Sequence, residues 1–194
     1  MMDGAVRSAR LEDAERILEI YAYYVRQTAV TFEYEVPSLD EFRGRMERTM
    51  ERYPYLVIEQ GGRVQGYAYA APLKDRAAYD WSCETTVYLD RDARGQGMGR
   101  RLYASLEDAL GRMGILNLYA CVASPEREDG YLTKNSEEFH RRLGYRTAGE
   151  FRFCGCKFGR WYHTLWMEKN IGAHRPDQLP VIPYPALTKA HEKV

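Results

Sequence analysis

The sequence predicts an α+β domain, a three-layer α/β arrangement in which helices flank one mixed sheet. Three observations predict it. Residues 14, 17, 18, 21, 24 and 25 are apolar, the stripe of an amphipathic helix. Several short β-prone runs, among them Tyr55–Glu59, Val64–Ala71, Ser82–Leu89 and Leu116–Val122, are separated by glycine-rich turns or helical segments. Taken together, the elements run β-α-α-β-β-β-α-β-α-β-β, an order that suits a mixed sheet rather than a purely parallel one.

In chain order, Ala5–Arg10 reads as a short strand and Asp13–Thr28 as the first helix. Ser38 opens a second helix, with Glu41 completing a capping box and Phe42, Met46, Met50 and Tyr53 as its inner face. The two runs flanking Gln60–Arg63 form a hairpin. Ser82–Leu89 is a strand that feeds a loop with glycines at 95, 97 and 99, and a helix runs from there to Met113, where Gly114 ends it. Leu116–Val122 is a central strand, followed by a polar loop from Ser124 to Lys134. Asn135 is expected to cap the next helix, with Glu138 as the returning acid and Gly144 as its stop. Thr147–Phe158 and Arg160–Lys169 are the last strands, turning at Gly159. No internal repeat is present.

At 194 residues the chain suits one domain with a substantial core. The division expected is a domain over 1–170 and an extension over 171–194, which carries four of the eight prolines and favours an extended conformation. That extension either packs over the domain or a partner subunit, or is loose. The 28 basic residues balance the 28 acidic ones, so no nucleic acid is expected as a partner. No apolar run reaches membrane-spanning length, and the N-terminus lacks a signal-peptide pattern, so no membrane association and a cytoplasmic location are expected. The four cysteines fall in strand-like runs and are expected to be buried thiols. Cys154 and Cys156 lack the spacing and the second ligand pair of a metal site, so no metal is expected.

The chemistry concentrates at 84–101. Closely spaced glycines at a strand-to-helix turn let backbone N–H groups converge on an anion. The helix start behind them adds roughly half a positive charge. Arg94, Arg100 and Arg101 add cationic donors, and Glu84 lies upstream on the feeding strand. Arg100 stands where a dinucleotide fingerprint needs its third glycine, and the Lys-Ser/Thr pair of a Walker loop is absent. What fits is Arg/Gln-x-x-Gly-x-Gly, met by Arg94, Gly97 and Gly99.

That loop resembles the acetyl-CoA loop of the GNAT superfamily of N-acetyltransferases. Over about residues 5–170 the chain looks like the phosphinothricin acetyltransferase branch. The resemblance rests on Val-Thr-Phe-Glu at 30–33, Tyr-Pro-Tyr-Leu-Val at 53–57, Gly-Tyr-Ala-Tyr-Ala at 66–70 and Arg-Ala-Ala-Tyr at 76–79. It continues in Glu-Thr-Thr-Val-Tyr at 84–88, His-Arg-Arg-Leu-Gly-Tyr at 140–145 and Lys-Phe-Gly-Arg-Trp at 157–161. The order of these pieces carries more weight than any one of them.

The resemblance implies a mostly antiparallel GNAT sheet, direct acetyl transfer from acetyl-CoA to a small-molecule amine of phosphinothricin, methionine sulfoximine or sulfone type, and a homodimer. It implies that the strands holding Val87 and Leu118 part to admit the pantetheine arm. Glu84 carries over as general base and His140 as the second catalytic residue. The cofactor residues implied are Val87, Tyr88, Leu89, Arg94, Gly95, Gln96, Gly97, Met98, Gly99, Arg100, Asn135 and Ser136. A carboxylate near Trp81 and Tyr79 would be pushed toward the working range by desolvation, as a base for an amine requires.

Phe32, Tyr79, Trp81 and Trp161 are candidate walls of the acceptor pocket, and Lys74 and Arg76 a candidate clamp for an acceptor carboxylate. Blander readings stand beside these: an ion-paired Glu84, a core His140, ordinary core aromatics and a solvated Lys74–Arg76 loop. Tyr131 and Tyr145 are unranked candidates for the acid that protonates the leaving thiolate, and Cys83 lacks a partner as a nucleophile. The chain departs from the family in a charged insertion over 126–134, at the expected mouth of the cofactor cleft. Alternatives from other classes are a protein N-terminal or polyamine acetyltransferase, and a non-catalytic module that senses acyl-CoA.

Overall fold

The computed structural model describes residues 4–191. Seven strands form one sheet in the order β1-β2-β3-β4-β5-β7-β6. They are β1 (Ala5–Ser8), β2 (Tyr55–Gln60), β3 (Arg63–Pro72), β4 (Ser82–Leu89), β5 (Asn117–Ser124), β6 (Arg146–Lys157) and β7 (Arg160–Asn170). Every neighbouring pair is antiparallel except β4–β5. The helices are α1 (Ala14–Gln27), α2 (Leu39–Met50), α3 (Met98–Met113), α4 (Asn135–Arg142) and α5 (Tyr184–His191).

The sheet separates two apolar layers. On one face α1 and α2 bury Ile17, Val25, Phe42 and Met46 against Val57 and Tyr67. On the other α3 buries Leu102, Leu106 and Leu110 against Ile58, Ala68, Leu118 and Met167. β4 contributes to both layers through Cys83 and Tyr88, while β5 packs Leu118, Ala120 and Val122 on the α3 side.

The predicted elements form, with local differences. Ser38 caps α2 by accepting from the Glu41 N–H at 3.2 Å, but the Glu41 carboxylate turns to Arg45 instead of completing the box. Asn135 is the first residue of α4 and not its cap; Lys134 holds that position without a side-chain cap. The loop before α4 is instead fixed by Asp129 and Glu128, whose carboxylates accept from the Tyr131, Leu132 and Lys134 N–H groups. Acids of this loop, and not an asparagine cap, thus order the approach to α4.

The cysteine expectation fails in part. Only Cys83 is buried; Cys121 and Cys154 are exposed, and Cys156 is half-buried. Cys121 lies where β5 has lost its neighbour β4, and Cys154 lies on a bulged outer strand.

The segment after Asn170 packs on the domain that precedes it. Val181, Tyr184 and Leu187 pack on the α3 core, while the Ile182 and Tyr184 N–H groups donate to the Met113 and Arg52 carbonyls. Its end is helical rather than extended, because Pro185 falls in the first turn of α5, where a missing N–H costs nothing. No helix among the described residues is long and apolar enough to cross a membrane.

Candidate active site

β4 and β5 pair over only three residues, Ser82–Glu84 against Asn117–Tyr119. β4 then follows β3 as far as Leu89, while β5 follows β7 as far as Ser124. From Thr85 onward the β5-facing side of β4 has no strand partner, and a cleft of about 640 Å³ opens there. Its lips are Glu84–Leu89 and Ala120–Ala123, and the loop before α3 and the first turns of α4 close the far end.

Glu84 stands at the vertex, in the last paired position before the strands part. Burial pushes its carboxyl above the ordinary carboxylate range, and the charge of Lys74 opposes that only partly. A carboxylate so placed is a stronger base than one in water, and it faces the cleft.

On the opposite side, His140 is 6% exposed and hydrogen-bonded at both ring nitrogens. Its Nδ1 lies 2.7 Å from the Ser136 carbonyl, which can only accept, so Nδ1 carries the proton. Its Nε2 is then the acceptor for the Tyr103 hydroxyl at 2.8 Å. Burial lowers the ring's pKa, with the Ser136 bond acting against that. The Tyr103 oxygen also lies 3.3 Å from Thr85 Oγ1, which in turn lies 3.1 Å from the Tyr145 hydroxyl. A hydroxyl network thus runs beneath the cleft, from His140 to the residue beside Glu84.

The glycine loop has the backbone its composition implies. Gly95 and Gly97 lie at φ 75° and 77°, a left-handed conformation that a Cβ disfavours, and Gly97 is the N-cap of α3. Gly99 permits close packing, since a Cβ there would stand 3.2 Å from the Phe139 ring. Arg94 lies over the Tyr24 ring, 5.1 Å from its centroid. The diverging strands, the glycine turn and the start of α3 fit a pyrophosphate with an extended arm, and so fit acetyl-CoA.

Of the residues singled out for the cofactor, Val87, Tyr88, Leu89, Arg94, Gly95, Gly99, Asn135 and Ser136 line the cleft. Gln96, Gly97, Met98 and Arg100 do not. The Gln96 amide donates to the Asp92 carbonyl, Met98 is buried in the α3 core, and Arg100 is exposed. Of those singled out for the acceptor, Phe32 lines the cleft, whereas Lys74, Arg76, Tyr79 and Trp81 lie outside its lining on the connection between β3 and β4. Trp81 is engaged elsewhere, donating its indole N–H to the Leu179 carbonyl at 2.8 Å. Trp161 is exposed on β7. Among the spare acids, Tyr145 is buried beneath the cleft and Tyr131 stacks on Phe158 at 4.3 Å. Cys83 is fully buried, and burial pushes its thiol far up, which leaves it no role as a nucleophile. No cluster of metal-ligating side chains occurs among the described residues.

Sequence reading missed Tyr103, Tyr69, Cys121 and Thr164 as lining residues. Tyr103 left one usable sign, a hydroxyl on the apolar stripe of α3 with Leu102 and Leu106 as neighbours. Cys121 and Thr164 left none, since they face the cleft only because the sheet splits.

A family model for the acetyltransferase (GNAT) domain matches residues 6–166. A phosphinothricin N-acetyltransferase of Streptomyces coelicolor is 35% identical over 170 residues, covering 86% of this chain and 95% of its own. An L-methionine sulfoximine/L-methionine sulfone acetyltransferase of Salmonella typhimurium is 29% identical over 170 residues, covering 87% of this chain and 95% of its own. Among solved structures, a GNAT superfamily phosphinothricin acetyltransferase from Sinorhizobium meliloti in complex with AcCoA superposes with a TM-score of 0.83 at 30% identity, covering 94% of this chain and 99% of that one.

Proposed function

Because this chain belongs to the GNAT acetyltransferase family, and is an acetyl-CoA-dependent N-acetyltransferase, we propose that it transfers the acetyl group directly to the primary amine of a small amino-acid analogue of the phosphinothricin, methionine sulfoximine or methionine sulfone type. The observation that carries the proposal is Glu84, a carboxyl with a raised pKa at the vertex where β4 and β5 part.

Acetyl-CoA supplies the thioester. The acceptor arrives mostly as an ammonium ion, and Glu84 takes its proton, freeing the nitrogen lone pair for attack on the thioester carbon. The C–N bond forms and the C–S bond breaks; the proton that the nitrogen sheds on becoming an amide is the one the departing CoA thiolate takes up. His140 and Tyr103 act as one unit in this scheme, since any proton reaching Nε2 meets the Tyr103 hydroxyl first. Backbone N–H groups of the turn 95–99 hold the pyrophosphate end with Arg94, with Asn135 and Ser136 beside them, and the Val87–Leu89 edge receives the pantetheine arm. Phe32 walls the acceptor, while Lys74, whose charge reaches Glu84, and Arg76 draw its carboxylate from outside the lining.

The enzyme would act in the cytoplasm as a homodimer. Supporting the dimer, Phe151, Phe153, Trp161 and Tyr34 are 58%, 47%, 61% and 70% exposed on or beside the β6–β7 hairpin. A mass in solution equal to one chain would remove that part of the proposal.

The deciding experiment is thiol release from acetyl-CoA with a panel of phosphinothricin, methionine sulfoximine, methionine sulfone, polyamines and short peptides. Turnover on the first three is expected. Turnover confined to polyamines or peptides would move the acceptor to the other N-acetyltransferase class.

A further inference from the structure

Val30, Thr31 and Phe32 line the acceptor side of the cleft, yet they belong to no helix or strand. The Thr28 and Tyr21 hydroxyls anchor the start of this segment, and the end of β6 anchors the rest. Three consecutive residues there, Gly155, Cys156 and Lys157, meet Phe32, Tyr34 and Thr31 in turn.

Lys157 is 2% exposed, and its ammonium donates to the Thr31 carbonyl at 2.7 Å. Burial lowers its pKa, and the charge of Glu33 works against that. A buried ammonium is costly, and a methionine would fill similar space without the cost, so packing alone does not account for a lysine here. The Tyr34 hydroxyl donates to the Cys156 carbonyl. Gly155 lies directly against the Phe32 ring: a Cβ there would stand 2.1, 2.5 and 2.6 Å from three ring carbons. Tyr162, the cross-strand partner of Gly155, stacks on the same ring at 6.4 Å between centroids. Phe32 therefore has a floor that only glycine provides.

A bulge aims this end of the strand. Between the pairs Phe151–Thr164 and Gly155–Tyr162, three residues of β6 oppose only His163 of β7. Phe153 takes φ 49° within the bulge, and its N–H donates to His163 Nδ1 at 2.9 Å. Bulges beside active sites re-aim side chains in this way.

We propose that Gly155 and Lys157 are specificity-determining positioning residues: they set where Phe32 stands, and hence how large an acceptor side chain fits beside Glu84. The proposal rests on Phe32 being an acceptor wall, as read above.

The test compares Gly155→Ala and Lys157→Met with wild type, using acceptors graded in side-chain length. In Gly155→Ala the ring must leave its floor and enter the cleft. Relative kcat/KM for the longest against the shortest acceptor is expected to fall by on the order of 10- to 100-fold, the range that one misfitted methylene spans. KM for acetyl-CoA should stay at the wild-type value in both variants, a split that general loosening of the fold would not produce. Lys157→Met should raise the acceptor KM without that shift in preference. Unchanged acceptor KM and ranking in both variants would overturn the proposal.

Amide NMR shifts give a readout that does not depend on turnover. Val30–Glu33 and Thr164 should move in Gly155→Ala while Gly95–Gly99 stay in place; no movement at 30–33 overturns the proposal even if wild type proves inactive on the whole panel. If Gly155→Ala does not fold, Gly155→Ala/Phe32→Leu should, because the smaller side chain removes the clash; continued misfolding of the double variant also counts against it.

Discussion

The Tyr103 hydroxyl oxygen stands 2.8 Å from Nε2 of His140, and this contact, with the Ser136 carbonyl at 2.7 Å on Nδ1, fixes the histidine as a neutral ring in one tautomer. Neither nitrogen is idle, so the ring can take a proton only if Tyr103 gives way. Burial favours the same neutral state.

Stability in weak acid follows from that state. A histidine whose folded pKa lies below its unfolded value binds fewer protons folded than unfolded, so stability is lost as pH falls through the unfolded value toward the folded one. The wild-type melting temperature should drop over this window. His140→Gln should flatten the drop; an unaltered profile would mean that His140 does not titrate there. Tyr103→Phe should cost about 1–3 kcal/mol, the price of a buried nitrogen without a partner.

Glu84 shows the opposite sign. Its folded pKa is raised, so it destabilises the fold as pH rises through that value and it ionises. Glu84→Gln should therefore melt no lower than wild type at neutral pH, while kcat/KM falls by about 10²- to 10⁴-fold as expected for a lost general base. Acetyl-CoA affinity, read by calorimetry, should be unchanged. Full turnover in this variant would remove Glu84 from the mechanism.

In the proposed scheme Gly97 serves the cofactor end alone, as the N-cap of α3. A Cβ there meets nothing within 4 Å, so the penalty of alanine comes from φ 77° and not from a clash. Gly97→Ala should cost about 1–2 kcal/mol if the turn is kept, or displace the N–H groups at the start of α3 if it relaxes. In either case the Kd for acetyl-CoA should rise with little change in the acceptor KM. An unaltered Kd would show that the turn does not carry the pyrophosphate.

Truncation after Ile171 removes Val181, Tyr184 and Leu187 from the core and the Leu179 carbonyl from Trp81. Stability should fall by on the order of 2–4 kcal/mol, read as a lower melting temperature. Equal melting curves would mean that the packing seen for this segment contributes nothing.

In the charged loop before α4, Asp129 accepts from the Tyr131 and Leu132 N–H groups with one oxygen and from Arg160 and Tyr162 with the other. Burial works against its charged form, but these hydrogen bonds outweigh it and its pKa is lowered. Its stabilisation is thus present above the unfolded carboxylate pKa and lost as pH falls through the folded one. Asp129→Ala should make backbone amides 129–134 exchange faster with solvent; wild-type protection there would contradict the anchoring.

The sequence by itself determined the elements, their order and the glycine turn ahead of α3. Those properties are local: the apolar stripe of α1 needs only its own period, and Gly95, Gly97 and Gly99 announce a turn by lacking side chains. It placed Glu84 on a strand ahead of that turn. Only the tertiary structure decided that β4 and β5 part directly after Glu84, which turns a strand residue into the vertex of a cleft and leaves Cys121 exposed. Likewise, 37 residues separate Tyr103 from His140, 98 separate Trp81 from Leu179, and 126 separate Thr31 from Lys157. The physical reason is the same in each case. Propensity, capping and turn chemistry act between near neighbours, whereas a hydrogen bond between distant residues exists only once sheet register and burial have brought its two ends together.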